Sequence, residues 1–246
     1  MEQNKLIICC GVNRSGSTWT YQVIKELLKD ESYTDLSFIY ASEANKITDA
    51  LKQSKLPVVV KMHTYAPLLD SLEEMDYAKL IYSHRDVRDI ILSISRKSKR
   101  SIDDTINMPF IKDSIESYSD WCKHSCFKPI SYTTIRNEPS IAVMQIANHI
   151  NLDISKEKGI EIAEKLSFKN QKKYIANMRS SLKGRFLAIL QNFRLLNVAR
   201  DKDSLLHYNH IQSGEVDEWK AVMSYKQAEE IYDKYSDWMM SFNYKK

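Results

Sequence analysis

The chain has 246 residues, 43% of them apolar and 28% charged, which suffices for one large domain with a sizeable core. A net charge of +4 is too mild to point to nucleic acid, and no run reaches the roughly 18 apolar residues of a membrane span, so neither partner is expected. Glycine is scarce, five residues where average usage predicts roughly 17, which excludes glycine-rich linkers and low-complexity disorder.

In chain order, Leu6 to Val12 is a short apolar run and reads as a buried strand. Ser17 to Lys29 follows as a helix with Val23, Ile24, Leu27 and Leu28 on one face. Leu36 to Tyr40 reads as a strand and Glu43 to Gln53 as a helix. Pro57 introduces a β-branched strand that ends in Lys61-Met62-His63, and Ala78 to Tyr82 is another. Asp86 to Lys97 carries Val87, Ile90, Ile91 and Ile94 at helical spacing. Beyond one more strand at Pro129 to Thr134 the pattern is helical, ending in a long helix from Tyr225 to Phe242. Strands alternating with helices predict a three-layer α/β sandwich: a central, mostly parallel sheet, helices on both faces and a helical second half. No linker or repeat divides residues 1–246, so a single domain is expected. The start of the chain lacks a cleavable signal pattern, and four cysteines, two adjacent in an apolar run, form no disulfide framework. A reduced, cytoplasmic protein is the expectation.

Gly11-Val12-Asn13-Arg14-Ser15-Gly16-Ser17-Thr18 joins the first strand to the first helix. Its spacing is that of a phosphate-binding loop, except that Ser17 replaces the lysine that reaches β- and γ-phosphates. Arg14 supplies a cation three residues earlier. The pattern suits an anion other than a nucleoside triphosphate, or else a plain turn capped by Ser15 or Ser17. Trp19 is either core or a platform for a base. His63, at a strand end on the side where this loop opens, is either structural or a base near neutral pH. Arg85 ends the next strand, and Asp89 and Ser93 follow it on the polar face of a helix. Arg96-Lys97-Ser98-Lys99-Arg100 reads as a solvated helix end or as a source of local positive potential.

Together these pieces resemble the cytosolic-type sulfotransferase family. Asn13-Arg14-Ser15-Gly16-Ser17-Thr18-Trp19 aligns without gaps with the family's P-K-S-G-T-T-W. Lys61-Met62-His63 is similar to K-T-H, and Arg85, Asp89 and Ser93 meet every defined position of R-x-x-x-D-x-x-x-S. Ser167-Phe168-Lys169 matches S-F-K, and Tyr132 stands where the family carries an adenine-side tyrosine. Gln212-Ser213-Gly214 aligns with R-K-G and lacks both basic residues; His210 and Arg185 are the substitutes to examine. Lys220, Ser224-Tyr225 and Glu229 resemble the family's dimer segment, so a homodimer is among the implied assemblies.

The resemblance implies transfer of a sulfuryl group from 3′-phosphoadenosine 5′-phosphosulfate (PAPS) to a hydroxyl or amine of a small-molecule acceptor, of the secondary-metabolite type, without a metal. Cys122-x-His124-x-Cys126 is explained better by helix packing than by zinc. In the implied roles His63 is the base, Arg14 stabilises the leaving phosphate and Lys61 orients the sulfonate. The donor contacts are Arg14, Ser15, Gly16, Ser17, Thr18, Trp19, Arg85, Ser93, Tyr132, Phe168, Gln212, Ser213 and Gly214. A non-catalytic binder of the same nucleotide and a phosphate-loop kinase are the rival readings. Tyr174 to Asn209 fits no motif and reads as a core helix or as a lid over the acceptor.

Overall fold

The computed structural model describes residues 5–72, 78–180, 201, 203–206 and 213–246. Its central strand is β1 (Leu6–Gly11), buried along its whole length. β2 (Thr34–Phe38), β3 (Val58–Lys61), β4 (Lys79–His84) and β5 (Phe127–Ser131) complete a sheet of order β2-β3-β1-β4-β5. All its pairings are parallel. Parallel strands need crossovers, and α1 (Ser17–Leu27), α2 (Asn45–Gln53) and α3 (Val87–Ser98) supply helices to them.

Alternate residues of β1 serve opposite cores. Leu6, Ile8 and Cys10 pack with Val58, Val60, Leu80 and the buried face of α3. α4 (Ile102–Ile106), α5 (Pro109–Glu116) and α6 (Tyr118–Cys122) close that layer. Ile7 and Cys9 pack with α1 on the other face. There α8 (Pro139–His149) and α9 (Lys156–Lys165) complete the layer. Each fully buried Ile, Leu or Val in these layers contributes about 1.5–3 kcal/mol relative to exposure.

Two predicted elements differ from the structure. The strand expected to run to Thr134 stops at Ser131, because the Ser131 hydroxyl accepts the Thr134 amide and caps α7 (Tyr132–Asn137). Tyr132 therefore opens a helix. The long terminal helix is two, α12 (Tyr225–Lys234) and α13 (Ser236–Ser241), preceded by the short α11 (Trp219–Val222). Tyr235 sits at φ −121°, ψ 28° between them, and the bend brings Trp238 and Met239 onto the first core. α10 (Phe168–Ser180) runs up to the segment 181–200, outside the described residues, where most of the expected lid or core helix lies. Among the described residues no helix is long and apolar enough to cross a membrane, and all four cysteines are free.

Candidate active site

Register places the key residues level with one another. Cys9 pairs with Lys61 and Gly11 pairs with Ser83. Two residues beyond each pairing, His63 comes level with Gly11, and Arg85 with the start of the anion loop. Gly11 has φ +127°, and a Cβ there would lie 2.2 Å from the Ser83 carbonyl oxygen, so the position admits only glycine.

Ser15 pins the loop. Its buried hydroxyl lies 2.6 Å from the Val12 carbonyl and 2.8 Å from that of Ser83, and its amide donates to Val12. Ser15 is thus occupied by Val12 of the loop and Ser83 of β4 and does not line the cavity, whereas Gly16, Ser17, Thr18 and Trp19 do. Gly16, at φ +100°, caps α1 without any side-chain bond, and the first turn of α1 holds no acidic residue. The positive end of the helix therefore meets no built-in anion.

Arg14 occupies a left-handed conformation at φ 69°, uncommon for a residue with a Cβ. Its Nε donates to Ser93 Oγ at 3.0 Å, tying the loop to α3. Burial, and then the nearby charge of Arg85, pull Arg14 down to about 10. Two guanidinium groups crowded at one cavity wall favour an anion between them.

The His63 tautomer follows from its partners. A carbonyl only accepts, so the ring donates from Nδ1 to the Gly11 oxygen at 2.7 Å. Nε2 then offers its lone pair, and the buried Lys61 ammonium, 2.9 Å away, donates to it. Lys61 also lies 4.9 Å over the Phe38 ring.

Arg85 is buried, stacks 4.1 Å over the Tyr132 ring and donates from Nη2 to the Glu215 carbonyl at 2.6 Å. Its Nε is buried without a hydrogen-bond partner, a donor that an anion would satisfy. Asp89 accepts the amides of Asp217 at 2.9 Å and Trp219 at 3.1 Å, clamping the C-terminal segment onto α3. Burial raises the Asp89 pKa, against the pull of Arg85 and those amides. The Tyr132 hydroxyl donates to the Gly214 carbonyl at 3.0 Å. Gly214 has φ +71°, and its Cα side rests against the Phe168 ring, where a Cβ would come within 2.3 Å. Trp19 Nε1 donates to the Leu166 carbonyl at 3.2 Å, which sets the indole at the same wall. Ser213 hydrogen-bonds Glu218 and receives Arg96 Nη1 at 3.3 Å. Gln212, His210 and Arg185 lie outside the described residues.

The cavity that these groups line has a volume of about 540 Å³. A family model, the sulfotransferase domain, matches residues 4–243. The chain belongs to the sulfotransferase family. Solved structures agree at the level of fold. Retinol dehydratase in complex with androsterone and the inactive cofactor PAP is 16% identical, with a TM-score of 0.62, covering 98% of this chain and 81% of that one. Mouse sulfotransferase SULT7A1 complexed with PAP is 14% identical, with a TM-score of 0.66, covering 97% and 86%. No curated protein matches the chain.

Several cavity residues of this sulfotransferase carry no sequence motif. Phe38, 5.5 Å from the His63 ring, and Tyr40, 5.0 Å from Phe38, form an aromatic wall beside His63, and Phe110 and Asp113, on one helix, also line the cavity. Arg136 joins the donor side: it donates to the Gly214 carbonyl at 3.0 Å and lies 4.7 Å over the Phe168 ring. Lys97 also faces the cavity. The only sequence trace of this basic wall is the run from Arg96 to Arg100. His124, by contrast, is packed structurally: its Nε2 shares a 2.8 Å hydrogen bond with the Tyr65 hydroxyl.

Proposed function

We propose that this sulfotransferase moves the sulfuryl group of PAPS to a hydroxyl or amine of a small molecule, of the secondary-metabolite type, with His63 as the base. The observation that carries the reading is the pairing of two environments in one cavity. One end gathers Arg14, Arg85, Ser93 and an uncapped helix N-terminus, a setting for phosphates. The other presents a neutral His63 Nε2 beside an aromatic wall. The solved relatives that hold PAP, the nucleotide left after transfer, support the choice of donor.

In the transfer, the acceptor oxygen or nitrogen forms a bond to sulfur as the bond from sulfur to the 5′-phosphate oxygen breaks. The acceptor proton passes to His63 Nε2, and Gly11 holds the ring through Nδ1. Lys61, already 2.9 Å from Nε2, swings its ammonium to the sulfonate when the acceptor takes its place. Arg14 and the loop amides stabilise the charge that grows on the leaving phosphate. Arg85 and Ser93 receive the 3′-phosphate, which ATP lacks, and Trp19 and Phe168 flank adenine with Tyr132 at its edge. A cavity of about 540 Å³ suits small ligands. The four free cysteines fit a reduced, cytoplasmic setting. Val222 and Tyr225, 47% and 78% exposed, mark the segment proposed to pair two copies.

The deciding experiment incubates the protein with labelled PAPS and a panel of phenols, alcohols and amines, and reads addition of SO₃ by mass spectrometry. Arg85→Ala should weaken adenosine 3′,5′-bisphosphate far more than AMP. Equal losses would sink the 3′-phosphate assignment. Tight bisphosphate binding with no turnover on any acceptor would favour a non-catalytic binder instead.

A further inference from the structure

The aligned family motif carries two basic residues where this chain has Gln212 and Ser213. A dianionic phosphate at Arg85 and Ser93 therefore lacks the further positive charge that the motif would supply. Worse, Glu218 adds an acid to the same wall. Such a wall binds phosphate only if the acid is neutralised and another cation faces the ligand.

Helix α3 provides both. Its polar file runs Asp89, Ser93, Lys97, one residue per turn. Ser93 and Lys97 both line the cavity, one turn apart on the same face of the helix. Arg96, next in sequence, points to the neighbouring segment instead. Its Nη1 is 2.7 Å from Glu218 Oε1 and 3.3 Å from Ser213 Oγ. Burial by itself would raise the Glu218 pKa, but the Ser213 hydroxyl and Arg96 overcome it and hold the carboxylate ionised. Arg96 thus offsets the Glu218 charge, as Arg85 and the Asp217 and Trp219 amides offset that of Asp89.

We propose that Lys97 is a second cation, beside Arg85, that reads the donor's 3′-phosphate in this chain, and that Arg96 is a positioning residue that neutralises Glu218 and holds Ser213. The assignment rests on the donor reading above. The pair at 96–97 moves the missing charge from the C-terminal segment to a helix across the cavity. The helix is anchored by Arg14 on Ser93 and by the Asp89 clamp, so the charge stands on a rigid element.

Calorimetric titration with adenosine 3′,5′-bisphosphate and with AMP tests this. Lys97→Ala should weaken the bisphosphate about tenfold and leave AMP within about twofold, as expected for a lost charge-assisted hydrogen bond. Lys97→Arg should keep most of the affinity. Arg96→Ala should also weaken the bisphosphate selectively, and Arg96→Ala/Glu218→Gln should recover it, since the repelling charge is then gone. Equal losses for both nucleotides, or none for either, would overturn the assignment of Lys97. Failure of the double variant to recover would overturn the role of Arg96. If the unmodified protein binds both nucleotides alike, the donor reading fails first, and this assignment with it.

Discussion

At the scale of single residues, His63 and two glycines carry the sharpest expectations. His63→Ala should lower kcat by about 10²- to 10⁴-fold and leave bisphosphate affinity nearly unchanged, because the ring is held by Gly11 and Lys61 and not by the groups proposed to bind the phosphates. Full activity in that variant would remove His63 from the chemistry. Gly214→Ala forces a Cβ to within 2.3 Å of the Phe168 ring from a left-handed backbone, so the proposed adenine platform must shift. Donor binding should fall in titration, and the strained backbone should also lower the melting temperature by about 2–4 °C. Gly159→Ala is the contrast. Its Cβ would meet the Met144 sulfur at 2.8 Å, the mobile end of a flexible side chain. The gain of about 1 kcal/mol from replacing a helical glycine offsets that shift, so thermal stability should stay nearly level.

At the scale of elements, α3 and the C-terminal tail form one assembly with β4. The α3 residue Arg88 pairs with Asp86 at 2.7 Å, stacks 3.7 Å from the Trp219 ring and donates to the Lys245 carbonyl. His84 at the end of β4 stacks on Phe242 with centroids 3.8 Å apart and shares a 2.9 Å hydrogen bond with the Tyr244 hydroxyl. Burial pulls His84 down to about 3. The unfolded chain, with an ordinary histidine near 6.5, binds the extra proton over that interval. Stability should therefore fall as pH drops from about 6.5 toward 3, by up to about 1.4 kcal/mol per unit from this group. Chemical denaturation at pH 7.5 and pH 5 should show a smaller difference in His84→Gln than in the parent; identical differences would refute it. Asp89→Ala should release the segment at Asp217 and Trp219 and raise its amide exchange, since both amides lose their acceptor.

For the molecule as a whole, assembly is the open property with a direct test. Val222→Asp places a charge on the exposed residue that ends α11. Sedimentation of the parent should report a dimer and of the variant a monomer; a monomeric parent would end the proposal.

The sequence by itself determined the strand–loop–helix, the alternation of strands and helices, and the anion loop at Gly11 to Thr18. These are legible because hydrophobic period and glycine spacing are local properties of the chain. The end of β5 at Ser131 and the break at Tyr235 were not legible, because a single capping hydroxyl and a packing demand decided them. Nor could local pattern show that Ser15 is held by Ser83 of β4, that His63 is level with Gly11, or that Arg96 lies against Glu218. Those facts depend on parallel register and on a helix facing a segment more than a hundred residues away. Tertiary structure alone sets such distances, and the chemistry of the cavity depends on them.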